Sequence, residues 1–201
     1  MIDAADFAAH LQRHVELAGS ALAIATLLGL AFGSLSSHAH AARGPIVTLA
    51  GIGRVIPSLA LITLMIPVFG LGFRSACVAL TLLAIPPILI NTDLGFRSVD
   101  PAASDAARGM GMTATQMFWR IEWPAALPIT FAGVQTAAIE VIASATLAAF
   151  IGAGGLGEYI TRGLDANITS ILFIGAVGVA ALALLTNLAL GTLRRLIGVR
   201  T

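Results

Sequence analysis

Four groups of residues in this chain have types and spacings that chemistry could use. Gly152-Ala-Gly154-Gly155-Leu-Gly157 satisfies G-x-G-x-x-G, the turn that lays a pyrophosphate on a helix N-terminus. That site needs a preceding strand within a βαβ unit, and what precedes it here is an apolar run long enough to cross a bilayer. The glycines therefore read as a tight turn and close helix packing. Glu140 lies about 24 Å past Pro124 along a helix rising 1.5 Å per residue, deep in an apolar run. A carboxylate there is costly, so it faces either a polar path, where it could attract a cationic head group, or a basic partner, Arg74 or Arg162. Gln135 and Asn91 are further polar candidates for such a path. His10 and His14 are spaced i, i+4, and His38 and His40 flank one alanine; without a third ligand neither pair makes a metal site. No nucleophile–base pair accompanies them, so no catalytic site is expected. The last group is Asp105-Ala106-Ala107 with Gly111, Ile121, Trp123 and Pro124, in the one long polar stretch of the chain.

The elements that position these residues follow from composition. Of 201 residues, 58% are hydrophobic and 10% charged, with mean hydropathy +0.95. A soluble domain carries about 25% charged residues, so a water-soluble enzyme is excluded, and so is a disordered chain. Net charge is +1, which gives no field for nucleic acid, and the single cysteine, Cys77, reads as a packing residue. Asp3 and Asp6 precede any basic residue, so no cleaved signal peptide is expected.

The pattern predicts an all-α membrane protein with five transmembrane helices, near residues 17–37, 46–70, 73–92, 124–150 and 168–193. Arg54 is placed at the water boundary of the second, and Pro86-Pro87 should kink or end the third. A glycine-rich connector, 151–167, joins the last two. Residues 1–16, with Phe7, Leu11 and Val15 on one face, form an amphipathic segment on the outer surface. Residues 17–193 form the membrane domain and 194–201 a cytoplasmic tail. Arg43, Arg54, Arg97, Arg108, Arg120, Arg194, Arg195 and Arg200 fall on one side, against Arg13, Arg74 and Arg162 on the other. The excess places the 93–123 loop and the C-terminus in the cytoplasm and the N-terminus outside.

Local signals make that loop an ordered helix-turn-helix. Asp100-Pro101 supplies an N-cap and a first-turn proline. Ala102, Ala103, Ala106 and Ala107 favour helix, and Gly109 and Gly111 interrupt it. Thr113 and Gln116 make a capping box for a second helix whose apolar face is Met117, Phe118 and Ile121.

Asp105-Ala-Ala-Arg-Gly-Met-Gly111, nine residues, then Ile121-Glu-Trp-Pro124 resembles the EAA motif of ABC-importer membrane subunits, with Asp for Glu and Trp for Leu. The resemblance covers roughly 17–193. Ile56-Pro-Ser-Leu-Ala-Leu61, Ile66-Pro-Val-Phe-Gly70, Asn91-Thr92 and Ala148-Ala-Phe-Ile-Gly-Ala-Gly-Gly-Leu-Gly157 look like the subfamily that imports osmoprotectants such as glycine betaine, carnitine, choline and proline betaine. That subfamily often reads Gln-Thr-Ile-Pro where this chain reads Arg54-Val-Ile-Pro57. Methionine-type importers share the five-span plan and the glycine stretch and are the nearest alternative.

The resemblance implies a permease of the bacterial inner membrane, with a second permease subunit, identical or paralogous, completing the path. Two cytoplasmic ATPase subunits would receive the 93–123 coupling loop and a separate extracytoplasmic protein would bind the substrate. This chain would bind no cofactor, ATP and magnesium belonging to the partner ATPase. Asp105, Ala106, Ala107, Gly111, Ile121, Trp123 and Pro124 would couple to the ATPase. Asn91, Gln135 and Glu140 would face the path, and Gly152, Gly154, Gly155 and Gly157 would shape the gate. An ion-driven carrier would instead show midplane charges in several spans, and an intramembrane enzyme would need a catalytic set.

Overall fold

A computed structural model describes residues 3–196, apart from the side chains of residues 40–42. The predicted tail beyond Leu196, Arg200 and the His40 side chain therefore lie outside the described residues. The fold is helical, with no strand among the described residues. The helices are α1 (Ala4–His38), α2 (His40–Gly53), α3 (Ser58–Leu64), α4 (Ile66–Phe69) and α5 (Phe73–Arg97). Then come α6 (Pro101–Gly109), α7 (Ala114–Met117), a π-helical turn (Phe118–Glu122) and α8 (Trp123–Ser144). A 3-10 segment (Ala145–Ile151), α9 (Gly157–Asp165) and α10 (Thr169–Leu196) complete the chain.

Four helical stretches, α1, α5, Ala114–Ile151 and α10, are long and apolar enough to cross a membrane, and a fifth counts if the bent pair Arg43–Gly53 and Ser58–Phe69 is one span. The bend is 98°. The contacts fix its course. α1 and α5 run parallel, because Ala21 meets Thr81, Gly29 meets Ile88 and Ser36 meets Asp93. Arg13 covers the Phe73 ring at the start of α5. Residues 39–72 thus leave from the His38 end of the bundle and return to the Arg13 end. α8 runs antiparallel to α5, with Gly133 against Asn91 and Gly95 against Ala126.

The core is a seam of small residues. α1 buries Ala18, Ala21, Ala25, Gly29, Gly33 and Ser36 along one face. A Cβ on Gly29 or Gly33 would collide with Ile88 or Thr92 of α5. Apolar lipid gives helices no hydrophobic reason to associate, so close backbone approach supplies the attraction instead.

Three sequence expectations change. Residues 4–16 are no separate surface helix. Asp3 caps α1, its side chain accepting from the Ala5 N–H at 3.1 Å, and no glycine or proline interrupts the chain before the first span. Phe7 and Leu11 pack on the core. Pro86 and Pro87 do not end the third span: α5 continues through both, and both are buried, so packing on two sides overrides the lost amide donors. The glycine-rich connector contains α9, with Tyr159 and Gly163 buried on its inner face.

Candidate functional site

At the His38 end, the chain between α5 and α8 folds as its local signals dictate. Asp100 accepts from the Ala102 N–H at 2.9 Å with Pro101 in the first turn of α6. Gly111 takes φ 80°, which closes the turn, and the Met112 N–H donates to the Ala107 carbonyl at 3.1 Å. The Thr113–Gln116 capping box is formed in both directions, at 2.9 and 3.3 Å. Asp105 and Ala106 are exposed and Ala107 is fully buried inside the hairpin. Asp105 pairs with Arg108 at 3.4 Å in open solvent, a contact of little energetic weight. Met110, 71% exposed, stands out from the turn as an apolar knob.

The hairpin is fastened to the bundle by rings that the sequence reading did not gather. Phe96 stacks on Phe118 with centroids 5.4 Å apart, Trp123 lies 6.0 Å from Phe96, and Trp119 lies 6.1 Å from Trp123. His38, at the end of α1, meets Phe96 edge-on at 5.5 Å, and its Nε2 lies 3.1 Å from a Glu122 carboxylate oxygen. Trp123 of the motif is thus an anchor to α5, while Ile121 is half-buried and Pro124 sits exposed in the first turn of α8. The sequence signal was available in Phe118, Trp119 and Trp123 crowded into six positions.

One buried charge was missed altogether. Asp93 is 3% exposed and accepts from Ser36 at 2.8 Å and from Arg43 Nε at 3.2 and 3.3 Å, with Arg97 3.8 Å away. It ties the end of α1 and the start of α2 to α5. The sequence placed Asp93 in a polar loop because the apolar run stops at residue 92; α5 instead continues to Arg97.

The other polar candidates are dispersed. Asn91 donates to the Pro87 carbonyl at 2.7 Å and faces Gly133 of α8. Gln135 donates to the Asn187 side chain, joining α8 to α10. Glu140 is half-buried on α8 and is in none of the ion pairs found among the described residues. Arg162, one of its two expected partners, is held by Glu158 at 2.7 Å.

At the Arg13 end, Gly152, Gly154 and Gly155 have φ of 72°, 84° and 92°, and a Cβ at Gly157 would run into the Thr146 carbonyl. The glycines make a turn pressed against α1. The Ala153 carbonyl accepts from Arg13 Nε at 3.3 Å, and Gly155 abuts the fully buried His14, whose Nε2 donates to the Ile142 carbonyl at 3.0 Å. Beside them Tyr159 donates to Asp6 at 2.7 Å, and His10 contacts Glu158 at 3.2 Å. Burial, and then the Asp6 carboxylate, push the Tyr159 phenol up to about 12. No group of three His, Cys, Asp or Glu side chains among the described residues is placed to hold a metal ion.

Comparison with known proteins places the chain in a family and matches its fold. Over 181 residues the chain is 36% identical to the carnitine transport permease protein OpuCB of Listeria monocytogenes, covering 90% of this chain and 83% of that one. It is 35% identical to the osmoprotectant import permease protein OsmW of Salmonella typhimurium over 93% of this chain and 90% of that protein. It is also 35% identical to the choline transport system permease protein OpuBB of Bacillus subtilis, covering 90% and 84%. The inward-facing methionine ABC transporter MetNI has the same fold, with TM-score 0.85 at 22% identity over 95% of both chains. Residues 25–200 match the binding-protein-dependent transport system inner membrane component, and the chain belongs to that family of multi-pass membrane permeases.

Proposed function

We propose that this chain is the permease subunit of an ABC importer for an osmoprotectant such as glycine betaine, carnitine or choline. The observation that carries the cargo class is the 34–36% identity, over nine-tenths of the chain, to permeases named for carnitine and choline transport. The likeness to methionine and amino-acid transporters, at 21–22% identity, supports the shared fold and leaves their cargo as the second reading.

In this reading the bent pair α2–α4 is the fifth crossing, because it links opposite ends of the bundle. The His38 end is cytoplasmic, the Arg13 end external, and the C-terminus cytoplasmic. Five crossings are too few to enclose a path, so a second permease copy or paralogue faces this one. The exposed side of the α6–α7 hairpin, with Asp105, Ala106 and Met110, seats in a cytoplasmic ATPase that carries ATP and magnesium. Ala107 and Gly111 shape that hairpin, and Ile121, Trp123 and Pro124 connect it to α8. The two helices of the hairpin pass ATPase closure to the spans through the Phe96–Phe118–Trp123 stack. Asn91, Gln135 and Glu140 border the path where α5, α8 and α10 meet, and the Gly152–Gly157 turn lies at the outer gate under a separate binding protein.

Co-purification tests the coupling: the ATPase should accompany the intact permease and be lost when residues 105–111 are deleted. Retention of the ATPase by the deletion would remove the docking role. Uptake by the reconstituted importer of betaine, carnitine or choline in preference to methionine tests the cargo.

A further inference from the structure

The bent pair α2–α3 is broken at a depth where a polar backbone needs a reason to be. A Cβ on Gly53 would lie 3.5 Å from Cγ of Pro86. Along α5, Pro86 is about 20 Å from Phe73 and about 16 Å from Arg97 at 1.5 Å per residue. The break is thus at mid-height of a bundle that crosses a hydrocarbon layer about 30 Å thick. Arg54 therefore does not sit at the water boundary where its sequence context placed it.

Arg54, Val55, Ile56 and Pro57 are all exposed, Val55 to 79%. The Arg54 and Val55 N–H groups donate back to Gly51 and Ile52. No backbone N–H among the described residues reaches the carbonyls of Arg54, Val55 or Ile56, and the Arg54 guanidinium has no partner among them. Lipid cannot cover this surface, since irregular backbone and a lone cation at mid-membrane persist only against protein or water. The same face of a second copy offers no counter-charge, because residues 40–72 contain neither Asp nor Glu. Water remains, and with it an anionic group brought by whatever passes.

We propose that the 54–57 break lines the translocation path and that Arg54 receives the carboxylate of the cargo. A guanidinium pairs with a carboxylate through two parallel hydrogen bonds and repels an approaching cation. Beside the break an apolar cavity of about 440 Å³ is lined by Leu49, Ile52, Gly53, Ile56, Leu82 and Pro86. It suits the methyl-covered end of a trimethylammonium zwitterion. The path then favours a carboxylate-bearing zwitterion over choline, which lacks the carboxylate. This rests on the reading of the chain as half of an importer path.

The test uses the assembled importer in liposomes, with Cys77→Ala removing the single native cysteine. Val55→Cys is treated with two water-soluble thiosulfonates of similar size, one bearing a sulfonate and one a trimethylammonium. With Arg54 intact, both should react; adding Arg54→Gln should lower the anionic-to-cationic rate ratio by about five-fold or more. No reaction with either reagent, or an unchanged ratio, overturns the proposal. In uptake, Arg54→Gln should lower glycine betaine transport about ten-fold relative to choline, and Arg54→Lys should restore part of it. Equal loss of both substrates overturns the carboxylate role. An importer that carries neither solute refutes the osmoprotectant reading, while the labelling ratio still decides on Arg54.

Discussion

The Asp93 cluster makes an asymmetric prediction about its two partners. In Asp93→Asn, the amide oxygen keeps a contact to Ser36 but loses its charge. A charge-assisted hydrogen bond is about twice as strong as a neutral one, so roughly 1 kcal/mol is lost there. Ser36 also has the Gly33 carbonyl at 2.9 Å, so its hydroxyl is never left without an acceptor. The Arg43 contact adds about 0–1 kcal/mol, because Arg43 is 37% exposed and water replaces what is lost. The total is about 1–2 kcal/mol. Arg43→Gln does the opposite. It leaves the carboxylate buried with Ser36 and with Arg97 at 3.8 Å, and about 2–3 kcal/mol is expected, below the usual range for an abandoned buried charge because Arg97 remains.

At about 2–4 °C per kcal/mol for a chain of this size, Asp93→Asn should lower the melting temperature by about 2–8 °C and Arg43→Gln by about 4–12 °C. The discriminating variant is the double one. With both charges gone, the buried carboxylate no longer needs a partner, and the double variant should melt above Arg43→Gln alone. Thermal unfolding of the purified permease in detergent, the three variants side by side, measures this. A double variant whose loss equals the sum of the single losses would falsify the coupling, as would Arg43→Gln being milder than Asp93→Asn.

Three further predictions concern other parts of the molecule. Ala107 is sealed inside the hairpin and Ala106 is not, so Ala107→Leu should destabilise the permease by about 1–3 kcal/mol through overpacking, while Ala106→Leu stays within about 0.5 kcal/mol. Ala106→Leu should nonetheless weaken ATPase co-purification, and a reversed order of melting temperatures would contradict the hairpin geometry. Gly33→Val should disrupt the α1–α5 seam by about 3 kcal/mol or more, since its Cβ would overlap Thr92 and the Leu89 carbonyl; an unshifted melting curve would show that the seam is loose. Tyr159 is the single tyrosine, so phenolate absorbance reads it alone; in the folded protein ionisation should be absent near pH 10 and centred at about 12, and Asp6→Asn should bring the midpoint down. Because the folded value is raised above 10, the stabilisation is complete below about pH 10 and is lost as pH climbs through about 12.

What the sequence disclosed and what it concealed divide along a physical line. The caps at Asp100 and Thr113, the proline after Asp100 and the turn at Gly111 involve partners within five residues, so their chemistry is written locally and appears as read. Asp93, His38 and Phe96 take their meaning from residues tens of positions away, and no local pattern marks them. The mid-membrane position proposed for Arg54 departs from its sequence placement for a related reason. An arginine three residues before a proline, in the first half of an apolar run, reads as a boundary when the run is taken as one straight helix. The 98° bend removes that premise, since the run spends part of its length going sideways. α9 was concealed by composition: three glycines before it and a fourth at its first position mark a turn and mask the helix that follows, and each of those glycines is fixed, by positive φ or by a neighbour that leaves no room for a Cβ.

The position of α1 shows why the fastening points matter together. The helix is about 52 Å long at 1.5 Å per residue, longer than the bilayer's hydrocarbon layer. Its last turn touches Glu122 and Phe118 of the hairpin junction, and its first turns hold the glycine turn and Tyr159. Between these ends it is seated on α5 largely through glycine and alanine, whose small side chains leave little room to give way. A contact of that kind is kept or broken; it does not stretch. The π-helical turn at Phe118–Glu122 is the less regular element at this junction, with one extra residue per turn and room to change register. Under the proposed coupling role, displacement of the hairpin would have two outlets, the register of the π turn or the rigid tilt of α1. The second reaches Arg13, His14 and the glycine turn without any chain of intervening rearrangements. Asp93 holds the foot of α1 to α5, so under the proposed coupling role its loss should register in uptake as well as in stability.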